Sequence, residues 1–284
     1  MSQFAYHPKA TLYICNSCLE CKKDRYENLI EKHKVQADEI NIMRCLNKQS
    51  FLTLTLLSKL IKIPESVLRE KLNRLEEYGL VIRQYYKFDC EGEQKRSPVF
   101  YSMAEKLPFR FSDEKENVKW NASLKMEEVM PILTWNLFYS ILTRDIPRKN
   151  IQIQQQYRIG NLTVSGRLKL KDKKFFKGYS HCIVISVSDC ALYNSKLPED
   201  INKIYKHFDH PMEKRPWFLI ICESSRQAAW LNEKIKKEVP AECGVYYITA
   251  IDLEAGENPF LCIQDIHFED EDIVTKTLVM DDWY

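Results

Sequence analysis

From Ala37 to Met103 apolar residues recur at helical spacing three times and then alternate, a pattern that predicts three helices followed by a hairpin. The first helix, "ADEINIMRCLNKQ", sets Ile40, Met43 and Leu46 on one face. The second, "TLTLLSKLI", turns Leu54, Leu57, Leu60 and Ile61 inward, and "KIPE" breaks it. Pro64 stands where a new helix can start without losing a needed N–H. The third helix, "ESVLREKLNRLEEYG", repeats Val67, Leu68, Leu72 and Leu75 and stops at Gly79. Its polar face carries Ser66, Arg69, Glu70, Lys71, Asn73 and Arg74. Two strand-like runs, "LVIRQYYKF" and "SPVFYSM", complete this block.

Beyond a charged, irregular stretch the pattern changes. "MEEVMPILTWNLFYSILTRD" reads as an apolar helix kinked or started by Pro131. "IQIQQQYRI" and "LTVSGRLKL" alternate with period two, and "HCIVISVSD" is a β-branched run. An amphipathic helix, "PEDINKIYKHFD", has Pro198 near its first turn. It leads to a buried strand "PWFLIICES", a helix "SRQAAWLNEKIKKEV" and a strand "GVYYITAID". Strand, helix, strand, helix, strand is the order of an α/β domain with a central mixed sheet. The expected organisation is an N-terminal arm over 1–36, a helical and hairpin domain over 37–103, a linker over 104–125, an α/β domain over 126–265 and an acidic tail over 266–284.

Composition narrows the function classes. The chain has 284 residues, 45% hydrophobic and 29% charged, within the ordinary globular range. No apolar run approaches the roughly 20 residues of a membrane span, and "MSQFAYHPKATLYI" lacks the features of a secretory signal, so the expected compartment is the cytoplasm, away from any membrane. With only seven glycines the chain contains neither G-x-x-x-x-G-K-[ST] nor G-x-G-x-x-G, which argues against nucleotide hydrolysis and dinucleotide redox chemistry. Net charge is +2, but Gln264 to Tyr284 holds seven acids against one base, leaving about +8 on the rest, a balance mildly suited to a polyanion.

Ten cysteines are many for a reducing compartment, where a disulfide framework is not expected. Seven are scattered among apolar neighbours and read as small buried hydrophobes. The other three, Cys15, Cys18 and Cys21, form C-x-x-C-x-x-C, a spacing that can aim three thiolates at one zinc ion. His7 and His33 are the nearest candidates for a fourth ligand. Three reduced thiols without metal, and an iron–sulfur cluster, are the alternatives. The six histidines show no catalytic metal spacing, and Ser224 and Ser225 read as a helix cap, since G-x-S-x-G is absent.

The helix pair with its short turn, the phrase "LNRLEEYGLV" and the hairpin resemble a winged helix-turn-helix domain. That resemblance implies a third helix lying in the major groove of double-stranded DNA. The residues implied to touch DNA are Ser66, Arg69, Lys71, Asn73 and Arg74 on the helix, with Lys95 and Arg96 on the wing. Asp89, Glu91 and Glu93 on the same hairpin would repel phosphate.

The second half resembles the restriction-endonuclease-like fold, in which one strand carries an acid and the next carries (D/E)-x-K. Here Ser165-Gly166 and Ser186-Val187-Ser188 occupy those places, so the resemblance implies a nuclease-like domain without its catalytic set. Asp172 and Asp189 are the candidate displaced acids. A helix-turn-helix followed by such a domain is similar to the replication-relaxation family of plasmids and other mobile elements. The family likeness implies a sequence-specific DNA-binding regulator, not an enzyme. Two half-sites imply a homodimer, with the second domain dimerising or holding a protein partner. A metal-dependent nuclease with displaced acids and a purely protein-binding module remain the competing readings.

Overall fold

The computed structural model describes residues 2–15, 23–32, 34–104, 123–146, 150–159, 162–170, 181–208, 216–256, 258, 262–269 and 272–277. The chain is mixed α and β, with two sheets, and divides into two compact units: His7–Asn136, and Met1–Tyr6 together with Leu137–Tyr284.

The unit His7–Asn136 contains β1 (Thr11–Ile14), α1 (Lys23–Glu31), α2 (Ala37–Gln49), β2 (Leu52–Thr53), α3 (Leu54–Ile61) and α4 (Glu65–Glu77). It continues with β3 (Val81–Cys90), β4 (Glu93–Arg96), β5 (Phe100–Met103) and the start of α5 (Met126–Asp145). Its sheet runs β1-β3-β5-β2, with β4 also paired to β3, and every pairing is antiparallel.

Local chemistry sets these boundaries. The Thr53 hydroxyl accepts the Leu56 N–H at 3.2 Å and starts α3. Lys62, in the left-handed region at φ 58°, ends α3, and Pro64 precedes α4. Gly79, at φ 71°, ends α4; there the Leu80 N–H reaches the Leu75 carbonyl at 3.0 Å. Ile42, Met43, Leu46, Leu56, Leu57, Leu68, Leu72 and Leu75 are all buried and form the helical core.

Several positions differ from the sequence expectation, and Leu54, Leu60 and Ile61 of α3, expected inward, are only half-buried. Val67 is 42% exposed, because the buried stripe of α4 is Leu68, Leu72 and Leu75 and the adjacent residue is rotated about 100° away. Ile42, not Ile40, sits in the core from α2, and Leu56 joins Leu57 as a fully buried residue of α3. The beginning of α5 is tied to the same unit: the Asn136 amide donates to the carbonyls of Gln49 and Phe51 at 2.9 and 2.7 Å.

The second unit contains the end of α5, β6 (Ile151–Ile159), β7 (Leu162–Leu170), β8 (Cys182–Ser186), α6 (Ala191–His207) and β9 (Trp217–Cys222). It continues with α7 (Ser225–Glu238), β10 (Val245–Thr249), α8 (Ala250–Glu254), β11 (Gln264–Glu269) and β12 (Asp272–Thr277). The seven strands run in order β12-β11-β10-β9-β8-β7-β6. Strands β8, β9 and β10 are parallel and the outer pairings antiparallel, so the sheet is mixed.

Parallel neighbours need crossover connections, and α6 and α7 supply them. Every residue of β9 is buried, as a central strand covered on both faces requires. Leu197, Ile201 and Ile204 of α6 and Ala228, Leu231 and Ile235 of α7 pack with Ile183, Phe218, Ile220 and Tyr247 of the sheet. Pro198 lies inside α6, which begins earlier, at Ala191, than the sequence pattern indicated. Within the acidic segment, β11 and β12 form a hairpin, and β11 pairs with β10. Among the described residues no helix is long and apolar enough to cross a membrane.

Candidate nucleic-acid interface

Helix α4 presents Ser66, Val67, Arg69, Glu70 and Asn73 to solvent. Leu68, Leu72 and Leu75 hold it on the helical core, so this outer row is fixed as a rigid edge. Ser66, Arg69 and Asn73, all named from the sequence, are in that row.

Lys71 and Arg74 are placed differently. The Lys71 ammonium pairs with Asp38 at 3.0 Å, donates to the Gln36 side-chain oxygen at 3.0 Å, and leaves its side chain 13% exposed. That ammonium holds the Asp38 carboxyl below its ordinary range. Arg74 donates to the Lys34 carbonyl at 2.6 Å and lies 3.4 Å from Glu39, whose side chain is fully buried. Glu39 also accepts the Gln36 N–H at 2.7 Å, which fixes the first turn of α2. A buried carboxylate requires a counter-charge, so Arg74 is first the partner of Glu39. Of the three cations expected on this face, Arg69 alone is exposed, and Lys71 and Arg74 are half-buried.

The hairpin expected as a wing is β3–β4, reversed at Glu91 and Gly92 with φ of 53° and 82°. Two consecutive residues with positive φ match the right-handed twist of the flanking strands. Arg96 stands opposite Lys87, and Lys95 opposite Phe88. Neighbouring residues of a strand point to opposite faces, so Lys95 and Arg96 address different sides of the ribbon. His7 stacks on Phe88 at 3.7 Å between ring centroids, and burial, then Lys95, lowers its pKa. Both Lys95 and Arg96 are exposed.

Of the clustered cysteines, Cys15 is exposed, and its N–H donates to the Arg83 carbonyl at 2.9 Å. Cys18, Cys21 and His33 lie outside the described residues, as does Asp172. Among the described residues no group of three or more His, Cys, Asp or Glu side chains could hold a metal ion.

In the second unit, serines bridge β7 and β8: the Ser186 N–H donates to Ser165 Oγ at 2.9 Å. Asp189 is exposed, and its N–H donates to the Glu223 carboxylate at 2.8 Å. Glu223 also accepts the Tyr6 N–H at 2.9 Å, and burial raises its pKa to about 7. Gln227 closes the cluster, accepting the Glu223 N–H at 2.7 Å and donating to the Ser188 carbonyl at 3.0 Å. Ser224 caps α7 by accepting the Gln227 N–H at 3.2 Å, as the sequence indicated. Sequence reasoning passed over Glu223; the available signal was a lone acid ending the uninterrupted apolar run "PWFLIIC".

Searches against family models, curated proteins and solved structures each find no match to this chain.

Proposed function

We propose that this protein is a sequence-specific DNA-binding regulator in which the unit His7–Asn136 is a winged helix and α4 enters the major groove. The carrying observation is the outer row of α4, Ser66, Arg69 and Asn73, exposed on a helix clamped by its opposite face. The order of α2, β2, α3, α4 and the β3–β5 strands, with β2 paired to β5, further supports the winged-helix reading. In this reading Arg69 bonds guanine or phosphate, Ser66 and Asn73 address base edges, and Arg96 meets the backbone beside the groove. Lys71 and Arg74 contribute when a phosphate competes with Asp38 and Glu39 for them.

The likeness to the replication-relaxation proteins makes control of transcription, replication or transfer of a mobile element the biological role. The second unit dimerises the protein or holds a protein partner. The helix, three-strand, helix, strand order from α5 to β9 supports a nuclease-like ancestry, and the Ser165–Ser186 bridge supports a non-catalytic role.

Selection from randomised duplexes at moderate salt tests this reading. A recovered site, bound about 5- to 150-fold more weakly after Arg69→Ala, is the expected result, equivalent to roughly 1–3 kcal/mol. No selected site from folded protein would refute it. Sedimentation equilibrium is expected to give a dimer. Plasmid cleavage with magnesium that disappears on Asp189→Ala would favour the nuclease reading instead.

A further inference from the structure

The seven-stranded sheet ends at β12, which among the described residues pairs only with β11. Four of the six residues in "DIVTKT" are β-branched, the type best suited to packing across a pleated surface, yet five are exposed and Val274 is half-buried. Ile266 of β11 is buried in one cluster with Leu231 and Ile235 of α7. Thr275 stands opposite Ile266 in register, and Ile273 shares that face two positions away, but Ile273 is 37% exposed. Cover from α7 therefore fades between β11 and β12. On its outer side an edge strand aims the N–H and C=O of alternate residues away from the sheet, where another strand can pair with them. The opposite edge, β6, is blunted. There Gln156 takes φ 45°, and the pairing with β7 passes from Gln155–Gly166 to Tyr157–Val164 around it. Strand β12 carries no such interruption.

A second copy of the chain fits this edge by register and by charge. Directly opposite residues of an antiparallel pair share a face, and successive residues do not. Two copies related by a two-fold axis through the sheet must therefore bring one residue opposite itself. With Val274 at the axis, Ile273 meets Thr275 and Asp272 meets Lys276, each of them twice. Within β12 no other centre joins the two charges. Lys276 also stands opposite Asp265 in the β11–β12 hairpin. The paired seam then runs Asp265, Lys276 and Asp272 of the second copy across three adjacent strands, alternating in sign.

We propose that β12 is the dimer seam of this protein: two copies pair their β12 strands antiparallel about Val274 and join their sheets into one. The seam rests on the reading that the second unit dimerises, and it assigns that role to one edge in one register.

Sedimentation equilibrium of the full chain measures the dimer dissociation constant for the parent, Asp272→Lys, Lys276→Asp and the double exchange, with thermal unfolding as the check on folding. Each single exchange sets like charges opposite one another at two places and should weaken the dimer about 10-fold or more. The double exchange restores opposite charges and should recover most of the parent affinity. Parent-like association of both single variants, from a dimeric parent, overturns this seam alone and leaves dimerisation to another surface. Weakening that the double exchange fails to recover also overturns it. So do opposite shifts in the two single variants, which would reduce the effect to net charge. A monomeric parent overturns the dimer reading together with the seam, while selection from randomised duplexes still tests DNA binding by itself.

Discussion

Glu223 shows how one buried carboxyl can tie distant segments together while making stability depend on pH. It receives the N–H groups of Tyr6 and Asp189, yet burial lifts its pKa from 4.5 to about 7. Between those values the folded chain holds a proton that the unfolded chain has released. Stability from this group is therefore greatest at low pH and is lost as pH rises through about 7. His181 works in the opposite sense. Burial, with Arg167 and then Lys169, lowers its pKa from 6.5 to about 4, so its contribution is lost as pH falls below 6.5. The difference between parent and Glu223→Gln in urea titrations from roughly pH 6.5 to 8 isolates Glu223, because His181 contributes equally to both. The parent should lose somewhat under about 1 kcal/mol relative to the variant across that window. Asn136 offers a second residue-scale check. Its amide satisfies two backbone carbonyls from a fully buried position, so Asn136→Leu should cost roughly 2–4 kcal/mol in unfolding free energy.

At the scale of elements, α4 is defined by its ends as much as by its stripe. Gly79 takes φ 71°, a conformation that costs a side-chain-bearing residue about 1 kcal/mol, so Gly79→Ala should lower stability by roughly that amount while leaving the helix in place. Leu72→Ala, at a fully buried position, should cost about 2–5 kcal/mol by opening a cavity under the same helix. Thermal or denaturant unfolding distinguishes the two by size. The elements were largely legible: α2, α3, α4, α5, β6, β7, β9, α7 and β10 follow the periodicities of the chain. Strand β1 was not, because "TLYI" is only four residues long and its pairing with β3 spans some seventy positions. Nor was the true start of α6, since Pro198 imitates a helix beginning while lying in its interior.

Across the whole molecule, sheet order decides what the charge pattern alone leaves open. The C-terminal acids look solvated in composition, yet β11 carries Ile266, fully buried in the core of the second unit, and the Ile266 carbonyl accepts from the Asn232 amide at 2.6 Å. Truncation before Gln264 should strip this strand from β10, expose an edge and lower the melting temperature by several degrees, with increased aggregation as the companion readout.

Periodicity, turn residues and caps are local, and the sequence by itself determined what depends on them: the helix, turn and helix from Ala37 to Gly79, the alternation of the strands and the Ser224 cap. Tertiary structure decided what depends on partners distant in the chain. Burial of Glu39 drew Arg74 into an ion pair, Asp38 took Lys71, and strand pleating sent Lys95 and Arg96 to opposite faces. A side chain's charge is written in its residue type. Whether that charge is available to a ligand is settled by which other group reaches it first.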